Sequence, residues 1–292
     1  MRVGRSTVAT HTGRKRRHNE DAYVLQPPLF AIADGMGGAR AGEVASSLAA
    51  AALQSGEVDG NGKERVIALI QAANRSIYER SSQDAEVAGM GTTLTVAFVE
   101  DATVTFGHVG DSRAYVLRDD ELEQLTDDHS LVAELVRGGK LSAEEAEHHP
   151  QRSVITRALG TDPDVDVDTF TVDAVSGDVF LLCSDGLTDM VGDGEIGEVL
   201  AGSRANLRDA TEELVRRANK AGGQDNITVV AFEMTDEPDE QTLEQTVEQT
   251  QPMPATDATP GRERSRLRRF VPLLILLLGI AAAAIALWIL AR

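Results

Sequence analysis

The stretch TLTVAFVEDATVTFGHVGDSRAYVLRDDELEQLT, Thr93 to Thr126, decides the fold. Runs rich in Val, Thr and aromatic residues at 92–100, 102–109 and 113–118 follow one another through connections of only a few residues. Parallel neighbours would need crossovers of a dozen or more residues, so these runs read as consecutive antiparallel strands. Working outward, the same composition predicts strands at 6–10, 22–26, 29–33, 179–183 and 226–233. Apolar residues at spacings of three and four predict helices over 43–54, 64–83, 130–138, 142–147 and 207–220. Strand clusters alternating with helical stretches in this way imply an α+β chain, an antiparallel sandwich with helices outside.

A chain of 292 residues, 42% of them hydrophobic, can bury one substantial core. The formal charge of −19 argues against nucleic acid as a partner, because a phosphate backbone is gripped by excess Lys and Arg. The one cysteine, Cys183, excludes an intrachain disulfide framework and a zinc-finger cluster, and its apolar setting in VFLLCSDG predicts a buried structural thiol.

The amino terminus lacks the apolar stretch of a secretory signal. At the other end FVPLLILLLGIAAAAIALWIL, 270–290, carries no charge and spans about 30 Å as a helix, which predicts a transmembrane segment. The basic segment RERSRLRR, 262–269, precedes it, and by the positive-inside rule the body of the chain is expected in the cytoplasm, held at the cell membrane by a single pass. That segment serves as a topology signal, with attraction to anionic lipid as the alternative. Between 234 and 261 the composition is acidic and rich in Gln, Thr and Pro, as in a flexible linker. The expected organisation is a folded domain over 1–233, then the linker, the basic segment and the membrane helix, which would contact lipid.

The glycine-rich stretch LFAIADGMGGARAGEVAS, Leu29 to Ser46, invites a phosphate-cradle reading and fails it. Counted from Gly35, the dinucleotide fingerprint needs glycine where Arg40 stands, and no Gly-Lys-Ser/Thr ending marks a P-loop. A better clue is repetition: an Asp-Gly or Asp-Asn step follows an apolar strand or a glycine-rich turn at Asp34-Gly35, Asp185-Gly186 and Asp225-Asn226. Buried aspartates that converge repel one another, and a hard divalent cation resolves the conflict. Carboxylates, a carbonyl and waters suit Mg²⁺ or Mn²⁺, whereas no His or Cys cluster is written for zinc. Taken singly, each aspartate could equally be a turn residue ending a strand.

Eight blocks in order carry a resemblance: GRKRRHNED, FAIADGMGGARAGEVAS, MGTTLTVAFV, VGDSRAYVL, LTDDHS, HPQRSVITRALG, LLCSDGLTD and GGQDNITVV. The chain resembles the metal-dependent serine/threonine protein phosphatases of the PPM (PP2C) family in their compact bacterial form. The resemblance implies a four-layer αββα fold, an antiparallel β-sandwich flanked by helix pairs, with a Mn²⁺ or Mg²⁺ centre of two or three ions at one end. It implies that Asp34 bridges two ions, that Gly35 offers its carbonyl, and that Asp185 and Asp225 complete a coordination sphere. Glu20 and Asp21 would hold metal-bound waters, and Asp111 with Asp185 and Ser153 would form the third-metal site. Arg16 matches the family's phosphate-binding arginine, although RKRR also resembles a basic localisation patch, which leaves Arg14, Lys15 and Arg17 peripheral.

For phosphomonoester hydrolysis such a set is chemically sufficient, since two cations activate water and no covalent nucleophile is needed. Met36 stands where many eukaryotic relatives have a histidine, and a thioether donates no proton to the leaving oxygen. His129 and the pair His148-His149 are expected in surface or packing roles rather than as acids. The implied partners are phosphorylated proteins, including a serine/threonine kinase. Two other readings stay open: a membrane-held pseudophosphatase that binds phosphoproteins, and a hydrolase of small phosphoesters.

Overall fold

The computed structural model describes residues 1–37, 41–56, 60–147 and 149–236. Most of the predicted linker, the basic segment and the predicted membrane span lie outside the described residues, as do Arg40 and His148. Among the described residues no helix is long and apolar enough to cross a membrane.

The strands are β1 (Arg2–His11), β2 (Asp21–Gln26), β3 (Leu29–Met36), β4 (Gly91–Thr92), β5 (Leu94–Glu100), β6 (Thr103–Val109), β7 (Arg113–Arg118), β8 (Glu121–Gln124), β9 (Asp168–Asp173), β10 (Val179–Cys183) and β11 (Ile227–Thr235). The helices are α1 (Ala41–Ser55), α2 (Gly62–Gln83), α3 (Leu131–Arg137), α4 (Ala143–Glu147), α5 (Asp185–Thr188), α6 (Asp193–Gly202) and α7 (Leu207–Ala221). One sheet runs β1-β11-β10-β7-β8 and the other β2-β3-β5-β6-β9, with β4 added at β3. The paired strands are antiparallel, as expected.

The connection between β6 and β7 is not the hairpin that its length suggests. β6 pairs with β5 and β9, whereas β7 pairs with β8 and β10. Gly110-Asp111-Ser112 therefore carries the chain from one sheet to the other. β9 supplies the missing edge; its half-buried, polar sequence DTFTVD gives little apolar signal.

β3 shows why the layers stack as they do. Side chains alternate across a strand, so Phe30 and Ile32 face one way and Ala31 and Ala33 the other. Phe30 and Ile32 join Phe106, Phe180 and Phe232 between the sheets, where Phe30 stacks on Phe232 at 4.1 Å between ring centroids. Ala31 and Ala33 meet a second core formed with Ala45 and Ala49 of α1 and Ile70 and Ala73 of α2. On the far side Leu207, Ala210, Leu214 and Ala218 of α7, three and four residues apart, pack with Leu200 of α6 on Leu181 and Val229. Helix, sheet, sheet and helix thus form four layers held by three apolar cores. Each fully buried Phe or Leu contributes about 1.5–3 kcal/mol relative to exposure.

Helix α2 begins at a capping box: the Asn61 side chain accepts from the Glu64 amide at 3.1 Å while Glu64 Oε2 accepts from the Asn61 amide at 3.5 Å. Cys183 is fully buried, and burial pushes its thiol up to about 12, as expected of a structural cysteine.

Candidate functional site

Strand pairing assembles the site. Asp21 on β2 lies directly across from Asp34 on β3, which continues to Met36 and so carries Asp34 and Gly35 within the strand rather than beyond its end. In the other sheet β10 ends at Cys183 beside Val229 of β11, so Asp185 and Asp225, just past those strand ends, emerge at the same edge of the sandwich. The sheet-to-sheet connection adds Asp111.

Two glycines permit the approach. A Cβ on Gly186 would lie 1.9 Å from the Asn226 carbonyl oxygen, so the Asp185-Gly186 turn touches the Asp225-Asn226 turn only without a side chain. Gly42, in the first turn of α1, has its Cβ position 2.6 Å from the Gly35 carbonyl oxygen and 2.5 Å from a Glu20 carboxylate oxygen. Gly42 is thus a site residue that the sequence reading missed, although GARAGE stood within the quoted motif.

A cleft of about 620 Å³ opens at this edge, lined by Arg16, Glu20, Asp34, Gly35, Asp111, Ser153, Asp185 and Asp225, together with Met36. Of the predicted site residues only Asp21 is not on its wall. The Asp21 carboxylate instead accepts from Ser184 Oγ at 2.9 Å and from Thr228 Oγ1 at 2.6 Å through one oxygen, Oδ2. Its other oxygen, and Oδ1 of Asp185, are buried without a hydrogen-bond partner.

Burial pushes the Asp34 carboxyl well above the usual range, and the charges of Asp21, Asp185, Asp111 and Asp225 add to the shift. Asp185 is raised in the same way by burial, then by Asp111 and Asp225. Burial, then Asp128, takes Asp111 up to about 7. For Asp21 burial outweighs its two hydroxyl donors, and the carboxyl reaches about 6. Burial raises Glu20 despite the opposing charge of Arg16. Burial works against the charge of Arg16, yet Asp225, Glu20 and Asp34 outweigh it, so the guanidinium is held above its ordinary value.

Residues outside the predicted set hold these groups. Asp34 is pinned through its backbone: its amide donates to Thr93 Oγ1 at 2.9 Å, and its carbonyl accepts from Thr92 Oγ1 at 2.8 Å and the Thr93 amide at 2.9 Å. Asn226 ties the loop that carries Arg16 to β11, accepting from the Glu20 amide at 2.7 Å and donating to the carbonyls of Thr12 and His18 at 2.9 Å each. Both lie in quoted sequence blocks, but a backbone anchor leaves no chemical signature in sequence. His129 is buried behind the Asp111 turn, accepting from the Gly110 amide at 3.0 Å with Nε2 3.1 Å from Asp168, which is a packing role.

The donor set fits a hard cation. Partnerless buried carboxylate oxygens and mutually raised acids call for positive charge. Among the described residues no three Asp, Glu, His or Cys side chains close into a ready-made metal cage, although these aspartates perturb one another strongly. Carboxylates and a backbone carbonyl are the donors that suit Mg²⁺ or Mn²⁺.

A family model described as Protein phosphatase 2C matches residues 10–230. The chain belongs to that family. The serine/threonine phosphatase stp of Listeria innocua is 41% identical over 241 residues, which cover 77% of this chain and 93% of that one. The protein phosphatase PhpP of Streptococcus pneumoniae is 42% identical over 242 residues, covering 79% and 98%. Among solved structures, the serine/threonine phosphatase PstP/Ppp of Mycobacterium tuberculosis aligns with a TM-score of 0.75 at 40% identity, over 80% of this chain and 99% of that one. A PstP catalytic domain described with two manganese ions aligns at a TM-score of 0.74 and 38% identity, over 81% and 100%. This protein phosphatase 2C chain is a metal-dependent protein serine/threonine phosphatase.

Proposed function

We propose that the chain hydrolyses phosphoserine and phosphothreonine in proteins at this cleft, with Mn²⁺ or Mg²⁺ bound by Asp34, the Gly35 carbonyl, Asp185 and Asp225. The convergence of those three aspartates with Arg16 on one cleft carries the reading. When bound, such ions lower the pKa of a water and place it for attack on phosphorus. Arg16 presents a planar fork of donors to the phosphate oxygens. Glu20 and Asp21 would accept hydrogen bonds from waters of a bound metal, and Ser184 and Thr228 keep Asp21 oriented. Asp111, Asp185 and Ser153 line the same wall and are assigned to a third ion. Met36 at the cleft supplies no proton, so the leaving oxygen would take its proton from metal-bound water or from another group.

The segment 270–290 is assigned as a single membrane pass, with the phosphatase domain on the cytoplasmic side and a serine/threonine kinase among its phosphoprotein partners. Its support is the length and lack of charge of that segment and the basic residues before it.

The test is phosphate release from a phosphothreonine peptide by the full chain with Mn²⁺, with EDTA, and after Asp185→Asn. Phosphate release only with Mn²⁺, and its loss in the variant, is expected; peptide binding without metal-dependent release would leave only a pseudophosphatase. Deleting 270–292 should release the protein from membranes, and an intact chain recovered wholly in the soluble fraction would contradict the anchor.

A further inference from the structure

The loop before β2 places Lys15, Arg17 and His18 on the same cleft wall as Arg16, all of them exposed. Arg16 has a partner, Asp225. Among the described residues Lys15, Arg17 and His18 are in no ion pair, whereas Arg113, Arg118, Arg157, Arg204 and Arg217 each face a carboxylate within 4 Å; Arg14, Lys63, Arg75, Lys140 and Lys220 also lack an ion pair, but none of them lines this cleft. The chain has 47 acidic residues against 28 Lys and Arg, so acids to pair with are not scarce. The two cations Lys15 and Arg17, left unpaired at the mouth of a site in a protein of net charge −19, are available to a ligand, with the His18 ring beside them. The loop is also held in place, because Asn226 fixes the His18 carbonyl and the amides of Arg14 and Lys15 donate to the Gly223 carbonyl at 2.7 and 3.2 Å.

We propose that Lys15, Arg17 and His18 form a specificity surface that favours substrates with an anionic residue, carboxylate or second phosphate, beside the phosphoserine or phosphothreonine held at Arg16. The proposal rests on the phosphatase reading and adds a substrate class to it. Complementary charge at a rim acts mainly on selectivity and encounter. One exposed ion pair is worth about fivefold at most. The two cations together give a preference on the order of 10-fold at low salt, fading as salt screens them.

The full chain with Mn²⁺ is assayed on one phosphothreonine peptide flanked in turn by Ala, Asp, phosphoserine or Lys. Expected is a kcat/KM on the order of 10-fold higher with Asp or phosphoserine flanks than with Ala. A response to both shows that the surface reads charge, and a response to phosphoserine alone narrows it to a second phosphate. The double variant Lys15→Ser, Arg17→Ser should reduce that ratio to near one. Equal loss on all four peptides would mean that the cluster only draws in the scissile phosphate, and would overturn the proposal. So would an unchanged ratio, or a preference for Lys flanks, the mark expected of the larger neighbouring groove that carries Asp127, Asp189 and Asp193. Should the variant not fold, the unaltered chain still decides: its anionic preference must exist at low salt and fall in 0.5 M salt. Hydrolysis of p-nitrophenyl phosphate by the unaltered chain tests the phosphatase reading separately, since that substrate has no flanks.

Discussion

Arg16 Nη2 donates to Asp225 Oδ2 at 2.7 Å, so the guanidinium assigned to phosphate and a carboxylate assigned to metal are in direct contact. The pair joins the loop before β2 to the turn before β11, residues 209 positions apart. Arg16 is about half exposed, so the contact itself adds little stability. Its value lies in aiming a fork of donors into the cleft. Arg16→Ala should lower kcat/KM on a phosphopeptide by roughly 10- to 100-fold, the range of a hydrogen bond to a charged group. Arg16→Lys should fall between, keeping charge but losing the planar fork. Steady-state kinetics on one peptide checks both, and unchanged constants for Arg16→Ala would remove it from the phosphate site.

The five mutually repelling aspartates make a second expectation two-sided. Asp34 is pushed up by burial first and then by Asp21, Asp185, Asp111 and Asp225. Asp34→Asn removes one charge from that group, and so should raise the melting temperature of EDTA-treated protein by about 2–4 °C. The same change should abolish the stabilisation that Mn²⁺ gives by binding the native state. Thermal unfolding with EDTA and with Mn²⁺ reads both effects. A variant that Mn²⁺ still stabilises as much as the parent would exclude Asp34 as a ligand.

The apolar runs of β3, β5, β7, β10 and β11 were legible because both their faces are buried, and α2 and α7 because their apolar spacing follows the helix. β8 and β9 were missed: ELEQ and DTFTVD are sheet-edge strands with exposed positions, so hydrogen bonding rather than hydrophobicity defines them. α5 and α6 were missed: α5 is a single turn that begins at the Asp185-Gly186 step, and glycines at 194, 197 and 202 thin the helical pattern of α6, although Ile196, Val199 and Leu200 bury one face. The Asp steps revealed the candidate ligands. Nothing in sequence marked Thr93, Asn226 or Ser184 as their supports, because a hydroxyl or amide becomes an anchor only when folding brings its partner within reach.

Glycines at Asp-Gly steps are not interchangeable with one another, as Asp185-Gly186 and Asp193-Gly194 show. Gly186→Ala would set a Cβ 1.9 Å from a backbone oxygen, and backbone on both sides leaves no flexible tip to yield. We expect it to cost about 3 kcal/mol, at the upper end for overpacking, and to separate Asp185 from Asp225. Gly194→Ala in α6 meets nothing within 4 Å and should stabilise by about 0.5–1 kcal/mol through helix propensity. Urea unfolding of the two variants gives opposite signs if the contact, rather than loss of glycine, is what matters.

His108 gives the pH dependence a definite sign. It is buried against the ring of His129 at 4.7 Å, with Nδ1 3.0 Å from Thr95 Oγ1 and Nε2 3.1 Å from the Asp127 carbonyl. Burial, then the field of His129, pulls it down from 6.5 to about 4. Between those values the unfolded chain binds a proton that the native protein refuses, so stability falls as pH drops through this window and is level above it. The full loss amounts to about 3 kcal/mol. The site carboxylates, raised rather than lowered, work in the opposite direction, so the effect is read as a difference between the parent and His108→Gln, both saturated with Mn²⁺. Denaturation midpoints at pH 7 and pH 5 should draw closer in the variant, and equal pH slopes in the two proteins would show that His108 accepts its proton without cost.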